Sequence, residues 1–292
     1  MDEFGAAIEL VPLSQHFTYA DRDGNIAYWM SGRDPVRPEG EWRLPQGAMG
    51  TSLEWDSANL ISRSTDRNTG QGYYCGWNNK SNAGYDNPPN NISYALGVFH
   101  RAHVVDDYLS ANNHLTFEQV RDLALNIATT DSFGGGGNPW KSVSDYFIAA
   151  VNNAPDAPVA GRSAALALLA AWDGHFVDGG VAFWALGTKR ADAWVLMDAW
   201  VKEVLNLTFE ELDAYPAAKN KMVLFNVLLH GLQPGSISNY YNWFQNLSNP
   251  AAPQTADAII VKALDNTLAA LGGRPWNVDR GVIAYNHAML GK

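Results

Sequence analysis

The sequence contains a single cysteine, Cys75, among its 292 residues. A lone cysteine cannot form an internal disulfide and cannot supply a cysteine-based zinc site, so the thiol content does not constrain the compartment. Basic residues are also scarce, since 20 Lys and Arg stand against 30 Asp and Glu for a net charge of −10. Phosphate contacts need clustered Lys and Arg, so we expect no nucleic-acid partner.

Long apolar runs and an export signal are missing as well. The longest apolar run, 164–172, is much shorter than the roughly 20 residues that cross a bilayer, so we expect no membrane partner. The N-terminal residues Met-Asp-Glu-Phe lack the basic and apolar regions of a signal peptide. The location therefore stays unknown, and a periplasmic or secreted parent protein would carry its signal upstream of this chain.

Several catalytic signatures are missing too. The run Gly134–Gly137 is not followed by the Gly-Lys-Ser/Thr of a phosphate loop, and the Ser-Ile-Ser at 236–238 lacks a nucleophile elbow. His100, His103 and His114 do not have the spacing of a zinc motif with a Glu base. Two further histidines are interpreted as core residues and two adjacent aspartates as a solvated helix face. These are His230, His287, Asp106 and Asp107.

What the sequence does contain is a strand pattern near its N-terminus. Residues 16–20 and 26–31 are rich in aromatic and β-branched side chains, and the turn sequence Asp21–Asn25 separates them. This pattern predicts a β-hairpin over 16–31. A further short strand is predicted at 72–77, whereas the Gly- and Pro-rich residues 32–70 are predicted to be irregular.

Beyond residue 95 the apolar residues recur at helical spacing, and Thr116 is a favourable N-cap. The predicted fold class is therefore mainly α with a small β element. We expect a β-containing domain over 1–94 and a helical domain over 95–292. Helices are predicted at 2–11, 98–109, 117–130, 140–153, 162–172, 190–205, 216–231, 255–271 and 278–289.

An ordered set of motifs resembles the penicillin acylase (penicillin amidase) family of N-terminal nucleophile hydrolases. The resemblance is strong over residues 14–80 and supportive to about residue 175. The matching residues are Tyr19-Ala20-Asp21, Gly24-Asn25-Ile26, Tyr28, Gly32, Pro35, Arg37, Gly40, Arg43-Leu44-Pro45, Gly72-Tyr73, Trp77-Asn78-Asn79-Lys80, Arg101, Leu115-Thr116 and Ala171-Trp172-Asp173-Gly174.

The resemblance implies a parent with an αββα fold that hydrolyses amides with an N-terminal Ser as nucleophile. It places that Ser hundreds of residues before the Tyr19 block, whereas only 18 residues precede Tyr19 and neither Met1 nor Asp2 can replace it. We therefore expect an internal β-chain segment that is inactive alone. Its partners would be the remaining α- and β-chain segments and an N-acyl small molecule, such as a β-lactam, an acyl-homoserine lactone or an acyl peptide. The alternative is a non-enzymatic helical binding or scaffold module.

The resemblance also suggests two catalytic residues. His16 occupies the position of an Asn whose side-chain amide donates to the oxyanion, and an imidazole N–H can also donate. Arg37 aligns with an Arg that lines the family's active site and supports that Asn. The alternatives are a strand-end His and a solvated Arg, both without a catalytic role.

The remaining candidate residues lie in two loops. Trp77, Asn78 and Asn79 either shape the wall of the substrate pocket or cap a strand, and we prefer the structural interpretation. Asp21 and Asp23 resemble the start of a calcium loop, but the full ligand spacing is missing and the pair is more simply a turn. We expect no cofactor in this chain, although family members often hold calcium through ligands outside this region.

Overall fold

The computed structural model describes residues 1–36, 54–82, 99–129, 137–155, 159–178, 189–233, 242–246, 249–274 and 276. The chain divides into two compact units, Met1–Tyr94 and Ala95–Lys292. The described strands all lie in the first unit, and the second unit is built from helices. The prediction of a mainly α chain with a small β element is confirmed.

The first unit is organised around the predicted hairpin, which the structure confirms. Helix α1 (Asp2–Glu9) precedes strands β1 (His16–Ala20) and β2 (Ile26–Met30). The register places Phe17 opposite Trp29, and side chains alternate between the faces of a strand. One face, centred on the buried Trp29, packs against Ile8 of α1. Gly5 permits this contact, because an added Cβ would lie 2.8 Å from the Trp29 indole.

Three strands correct the prediction that residues 32–70 are irregular. They are β3 (Arg33–Val36), β4 (Asp56–Ser62) and β5 (Thr65–Arg67); β5 pairs antiparallel with β2, and β3 pairs antiparallel with β4. Distant partners hold them, since the Arg63 guanidinium donates to the Ser31 carbonyl at 2.7 Å and to Asp34 at 2.8 Å. All seven residues of β4 are exposed. The strand therefore lacks the alternation of buried apolar and exposed polar residues by which a strand is predicted from sequence.

The strand predicted at 72–77 is wrong, because these residues form an irregular segment. Side chains here bond to the backbone groups that a strand would offer to a neighbouring strand. The Gln71 amide donates to the Tyr73 carbonyl at 2.8 Å, and the Trp77 N–H donates to the Asn79 side chain at 2.7 Å. Gly72 adopts a left-handed backbone with φ of +81°, which also interrupts an extended run.

The second unit contains seven described α-helices, and their positions agree with the predicted ones. The Thr116 hydroxyl accepts from the Gln119 N–H at 3.3 Å and the Gln119 side chain accepts from the Thr116 N–H at 2.8 Å, which is a capping box. The predicted helix at 278–289 lies outside the described residues. The helices are α2 (Ala102–Ala111), α3 (Phe117–Thr129), α4 (Trp140–Asn152), α5 (Arg162–Ala170), α6 (Asp192–Thr208), α7 (Lys221–Leu232) and α8 (Ala256–Leu271), with 3-10 turns at Glu210–Ala214 and Pro216–Ala218.

The core of this unit lies where α6 packs against α8, with α4 and α7 beside them. Trp200 of α6 is fully buried, and its ring centroid lies 4.8 Å from Phe147 and 5.7 Å from Trp140. Its indole N–H donates to the Ile260 carbonyl at 2.9 Å. None of the described helices combines the length and apolar character that a membrane crossing requires.

Two polar ties connect distant parts of the helical unit. The buried Arg162 guanidinium donates to both carboxylate oxygens of Asp265, at 2.8 and 2.6 Å, and joins α5 to α8. The Asn226 side chain of α7 accepts from the Phe99 N–H at 2.9 Å and donates to the Phe99 carbonyl at 3.2 Å. Asn226 thereby satisfies both backbone groups of a residue that precedes α2.

Candidate active-site elements

The candidate site lies on the hairpin face opposite α1. His16 stands opposite Met30 and Thr18 stands opposite Tyr28 in the antiparallel register. Because side chains alternate along a strand, His16 and Tyr28 are diagonal neighbours on the same face. The His16 Nδ1 lies 2.5 Å from the Tyr28 hydroxyl, and their ring centroids are 5.6 Å apart. The hairpin therefore fixes one nitrogen of the imidazole.

Burial lowers the pKa of His16 below its ordinary value, and a hydrogen bond to the Asn79 backbone opposes that shift. The ring is therefore neutral at pH 7 and carries a single N–H. A backbone bond that raises the pKa of an imidazole is one that its N–H donates to a carbonyl. We assign the N–H to the Asn79 contact and the acceptor role to Nδ1, so that the Tyr28 hydroxyl donates to Nδ1.

The loop that contains Trp77, Asn78 and Asn79 meets the hairpin at His16. Two local features shape this loop. Asn78 has a left-handed backbone with φ of +56°, and the Asn79 side-chain amide donates to the Lys80 carbonyl at 3.0 Å. Trp77 is 36% exposed. The structure thus brings two predicted site residues, His16 and Asn79, together, and Trp77 and Asn78 belong to the same loop.

Tyr74, which the sequence did not single out as a site residue, packs against the Tyr28 ring that contacts His16. The ring of Tyr74 stacks on Tyr28 with centroids 6.2 Å apart. The Tyr74 hydroxyl donates to Asp66 at 3.0 Å and accepts from the Thr69 N–H at 3.2 Å. The sequence does contain a signal for the contact between Tyr28 and His16. The five-residue turn over 21–25 sets the hairpin register, and this register places Tyr28 diagonal to His16.

The substitution Tyr28→Phe tests the role of the hydroxyl. A hydrogen bond to Nδ1 favours the neutral imidazole, so its loss is expected to raise the pKa of His16 towards its ordinary value. The variant should also reduce the preference for the tautomer protonated away from Nδ1. Both changes are measured by 15N NMR of the imidazole across a pH titration. The matched variant Tyr74→Phe keeps the His16 contact and should leave the tautomer unchanged. A lower pKa in Tyr28→Phe would mean that Tyr28 accepts the bond.

Asp21 and Asp23 lie at the opposite end of the hairpin from His16. The Asp21 carboxylate accepts from the N–H groups of Asp23 and Asn25 at 3.0 and 2.9 Å and from the Asn25 amide at 3.0 Å. The bonds from Asn25 are the main cause that lowers the pKa of Asp21. These contacts belong to a turn residue. Within the described residues, no group of three or more His, Cys, Asp or Glu side chains is placed to hold a metal ion.

Arg37, the second predicted catalytic residue, lies outside the described residues. The described strand β3 ends at Val36, directly before it. Its role as an active-site residue therefore stays a prediction.

The fold of this chain is similar to that of a solved penicillin acylase. A thermostable penicillin G acylase from Alcaligenes faecalis matches with a TM-score of 0.72 and 21% sequence identity. The match covers 93% of this chain and 49% of the solved chain, so this chain spans about half the length of that relative. The chain shares the fold of that part of a penicillin acylase.

The sequence itself identifies the family. The family model described as Penicillin amidase matches residues 1–288. The chain therefore belongs to the penicillin amidase family, and the resemblance found in residues 14–80 is confirmed. A comparison with curated proteins gives no match.

Proposed function

We propose that this chain is part of a penicillin amidase-type amidohydrolase that cleaves N-acyl amide bonds, and that His16 contributes to its oxyanion hole. Family membership over residues 1–288 supports the reaction class. The observation that carries the site is the half-buried, neutral imidazole of His16, fixed through Nδ1 by Tyr28. Suitable substrates are N-acyl compounds such as a β-lactam with an amide-linked side chain, an acyl-homoserine lactone or an acyl peptide.

The chemistry of amide hydrolysis explains why such a group is useful. When a nucleophile attacks the acyl carbon, negative charge develops on the carbonyl oxygen, and oriented N–H donors stabilise it. A neutral imidazole supplies one N–H donor, as an Asn amide does. The His16 N–H has to exchange the Asn79 backbone for the substrate oxygen. The loop at Asn79 must therefore yield its hydrogen bond when substrate binds.

The other parts of the reaction are proposed to come from the remaining α- and β-chain segments. These segments would supply the N-terminal nucleophile and complete an αββα fold around the first unit. Strand β4 supports this view, because all seven of its residues are exposed, including Leu60 and Ile61 at 48% and 55%. Two adjacent exposed apolar side chains on a strand are suited to contact with another segment. Arg37 is proposed to support the oxyanion donor, as in the family pattern.

The proposal predicts that the 292-residue chain alone does not hydrolyse a chromogenic phenylacetyl amide. The physical reason is that acyl transfer needs a nucleophile, which we place in the remaining segments. The measurement is release of the chromophore by the purified chain, compared with the complete parent protein at equal concentration. Hydrolysis by the parent with none by the chain is the expected result.

Arg37→Ala separates true activity of the chain from contamination. Turnover by the purified chain that Arg37→Ala abolishes would show a complete active site within these residues and would contradict the proposal. A parent protein that leaves N-acyl amides intact under the same conditions would contradict the reaction class itself. Lys262→Ala, which removes a positive charge at an exposed position of α8, serves as the matched control.

A further inference from the structure

A cavity of about 560 Å³ lies inside the helical unit. It opens between α2, the first turn of α4 and the turn Asp173–His175. Its volume falls within the range of about 300–1,000 Å³ that is typical of small-molecule sites. Several of its lining residues, including His100, His103 and Asp107, have no part in the proposed hydrolysis.

Hydrogen bonds fix one wall of this cavity. The Trp172 indole N–H donates to the His175 carbonyl at 2.8 Å, and the His175 N–H donates to the Asp173 carboxylate at 2.9 Å. Between them Gly174 has φ of +87°, and an added Cβ would lie 2.8 Å from the Asn138 amide nitrogen. Asn138 in turn accepts from the Trp140 N–H at 2.9 Å. Hydrogen bonds within the protein therefore hold the wall against the start of α4.

A buried imidazole faces this cavity. His100 is only 7% exposed, and its Nδ1 accepts from the Ala102 N–H at 3.2 Å. Burial lowers its pKa, with Arg101 and His103 acting in the same direction, so the ring is neutral at pH 7. Its second nitrogen then carries the N–H, and the residue lines the cavity. An imidazole N–H in the wall of a cavity can donate to an acceptor atom of a bound molecule.

Charges of both signs surround the opening. Lys141 lies in the first turn of α4, whose N-terminal end also favours negative charge. Asp107 of α2 and Asp173 carry the opposite charge. In the described part of the chain, none of these three forms an ion pair with another side chain. The two carboxylates would repel a ligand that carries only negative charge, and the Lys141 ammonium would repel a ligand that carries only positive charge.

The remaining lining surface is apolar or weakly polar. Phe99 is 4% exposed and Leu123 is 7% exposed, and Val104 of α2 lies beside them. The three cavity histidines do not form a metal site with the acidic residues, since the described residues contain no metal-binding group of three. An organic ligand with an apolar part and two opposite charges satisfies all of these features at once.

We propose that this cavity binds a small zwitterion of the α-amino acid class with an apolar side chain. Its carboxylate would meet Lys141 and the His100 N–H. Its ammonium would meet Asp107, because the Asp173 carboxylate already accepts from the His175 N–H. Its side chain would lie against the apolar surface at Phe99. This site belongs to the helical unit alone, and its occupancy does not depend on whether the parent protein hydrolyses amides.

Three probes of similar size test the charge requirement with the 292-residue chain. L-phenylalanine has both charges, 3-phenylpropanoate lacks the ammonium and 2-phenylethylamine lacks the carboxylate. Titrations are followed by calorimetry and by the imidazole NMR signals of His100. We expect phenylalanine to bind at least about tenfold more tightly than either other probe, because each of the other probes lacks one charge-assisted hydrogen bond. Equal binding of the three probes, or no shift of the His100 signals, would overturn the proposal.

Substitutions place the bound molecule. Lys141→Met and Asp107→Asn remove one charge each from exposed positions and should each weaken phenylalanine binding by at least about tenfold. Lys262→Met and Asp257→Asn make the same changes at exposed positions of α8 and should leave it unchanged. Binding that both cavity variants retain would place the ligand elsewhere and contradict the proposed site.

Discussion

His16→Ala in the complete parent enzyme is expected to lower kcat by about 10²–10³, because removal of one oxyanion donor typically has this effect. KM should change little, since the donor acts on charge that develops in the transition state. The measurement is steady-state hydrolysis of an N-acyl amide at saturating and limiting substrate. The half-buried ring fixed by Tyr28 is the structural basis of this expectation.

Two further variants make this result specific to the donor. His16→Asn replaces the imidazole N–H with an amide N–H and should recover most of the lost kcat. His114→Ala removes an exposed histidine and should leave kcat unchanged. A kcat for His16→Ala within about threefold of the natural enzyme would remove His16 from the oxyanion hole, since that role predicts a much larger loss.

Trp200→Ala is expected to destabilise the helical unit by about 3–5 kcal/mol, the usual cost of removing a buried aromatic side chain. Trp200 is fully buried between Trp140 and Phe147, and its N–H bonds to the Ile260 carbonyl. The variant would leave a cavity between α6 and α8 and an unsatisfied carbonyl. The measurement is denaturant unfolding followed by helical circular dichroism, because most described helix lies in this unit.

An exposed aromatic residue of the same unit provides the control. Phe117 is 79% exposed at the start of α3, and Phe117→Ala should change the free energy of unfolding by no more than about 0.5 kcal/mol. Similar losses for the two variants would show that Trp200 does not anchor the core. A destabilised Trp200→Ala that keeps its near-ultraviolet spectrum unchanged would likewise contradict tight packing of this indole.

Local patterns explain how much of the fold the sequence predicted. The hairpin followed from alternating aromatic residues around the Asp21–Asn25 turn, and the helices followed from apolar spacing and caps such as Thr116. Strands β4 and β5 could not be predicted in this way, because their partners lie 20 to 40 residues away in sequence and β4 buries none of its residues. The polar tie between Arg63 and Asp34 that holds them leaves no periodic signal.

The candidate site could be predicted only in part, again because contacts between distant segments leave no local pattern in the sequence. His16 came from the resemblance, and its contact with the Asn79 backbone required two segments about 60 residues apart to meet. Tyr28 was within reach of sequence reasoning, because the turn length fixes the hairpin register. The cavity that we propose to bind a zwitterion could not be predicted from the sequence. Its charged residues Lys141, Asp107 and Asp173 come from three separate elements, and no local pattern describes how these elements pack.

The tie between Phe99 and Asn226 bears on the order in which the helical unit assembles. The two residues are separated by 127 positions, and α7 has to be formed before its amide can satisfy both Phe99 backbone groups. Closing so large a loop is slow compared with forming the local helices. During synthesis these two hydrogen bonds can therefore form only after α7 has emerged from the ribosome. We therefore expect Phe99, and with it one wall of the cavity, to be fixed late in the folding of the helical unit.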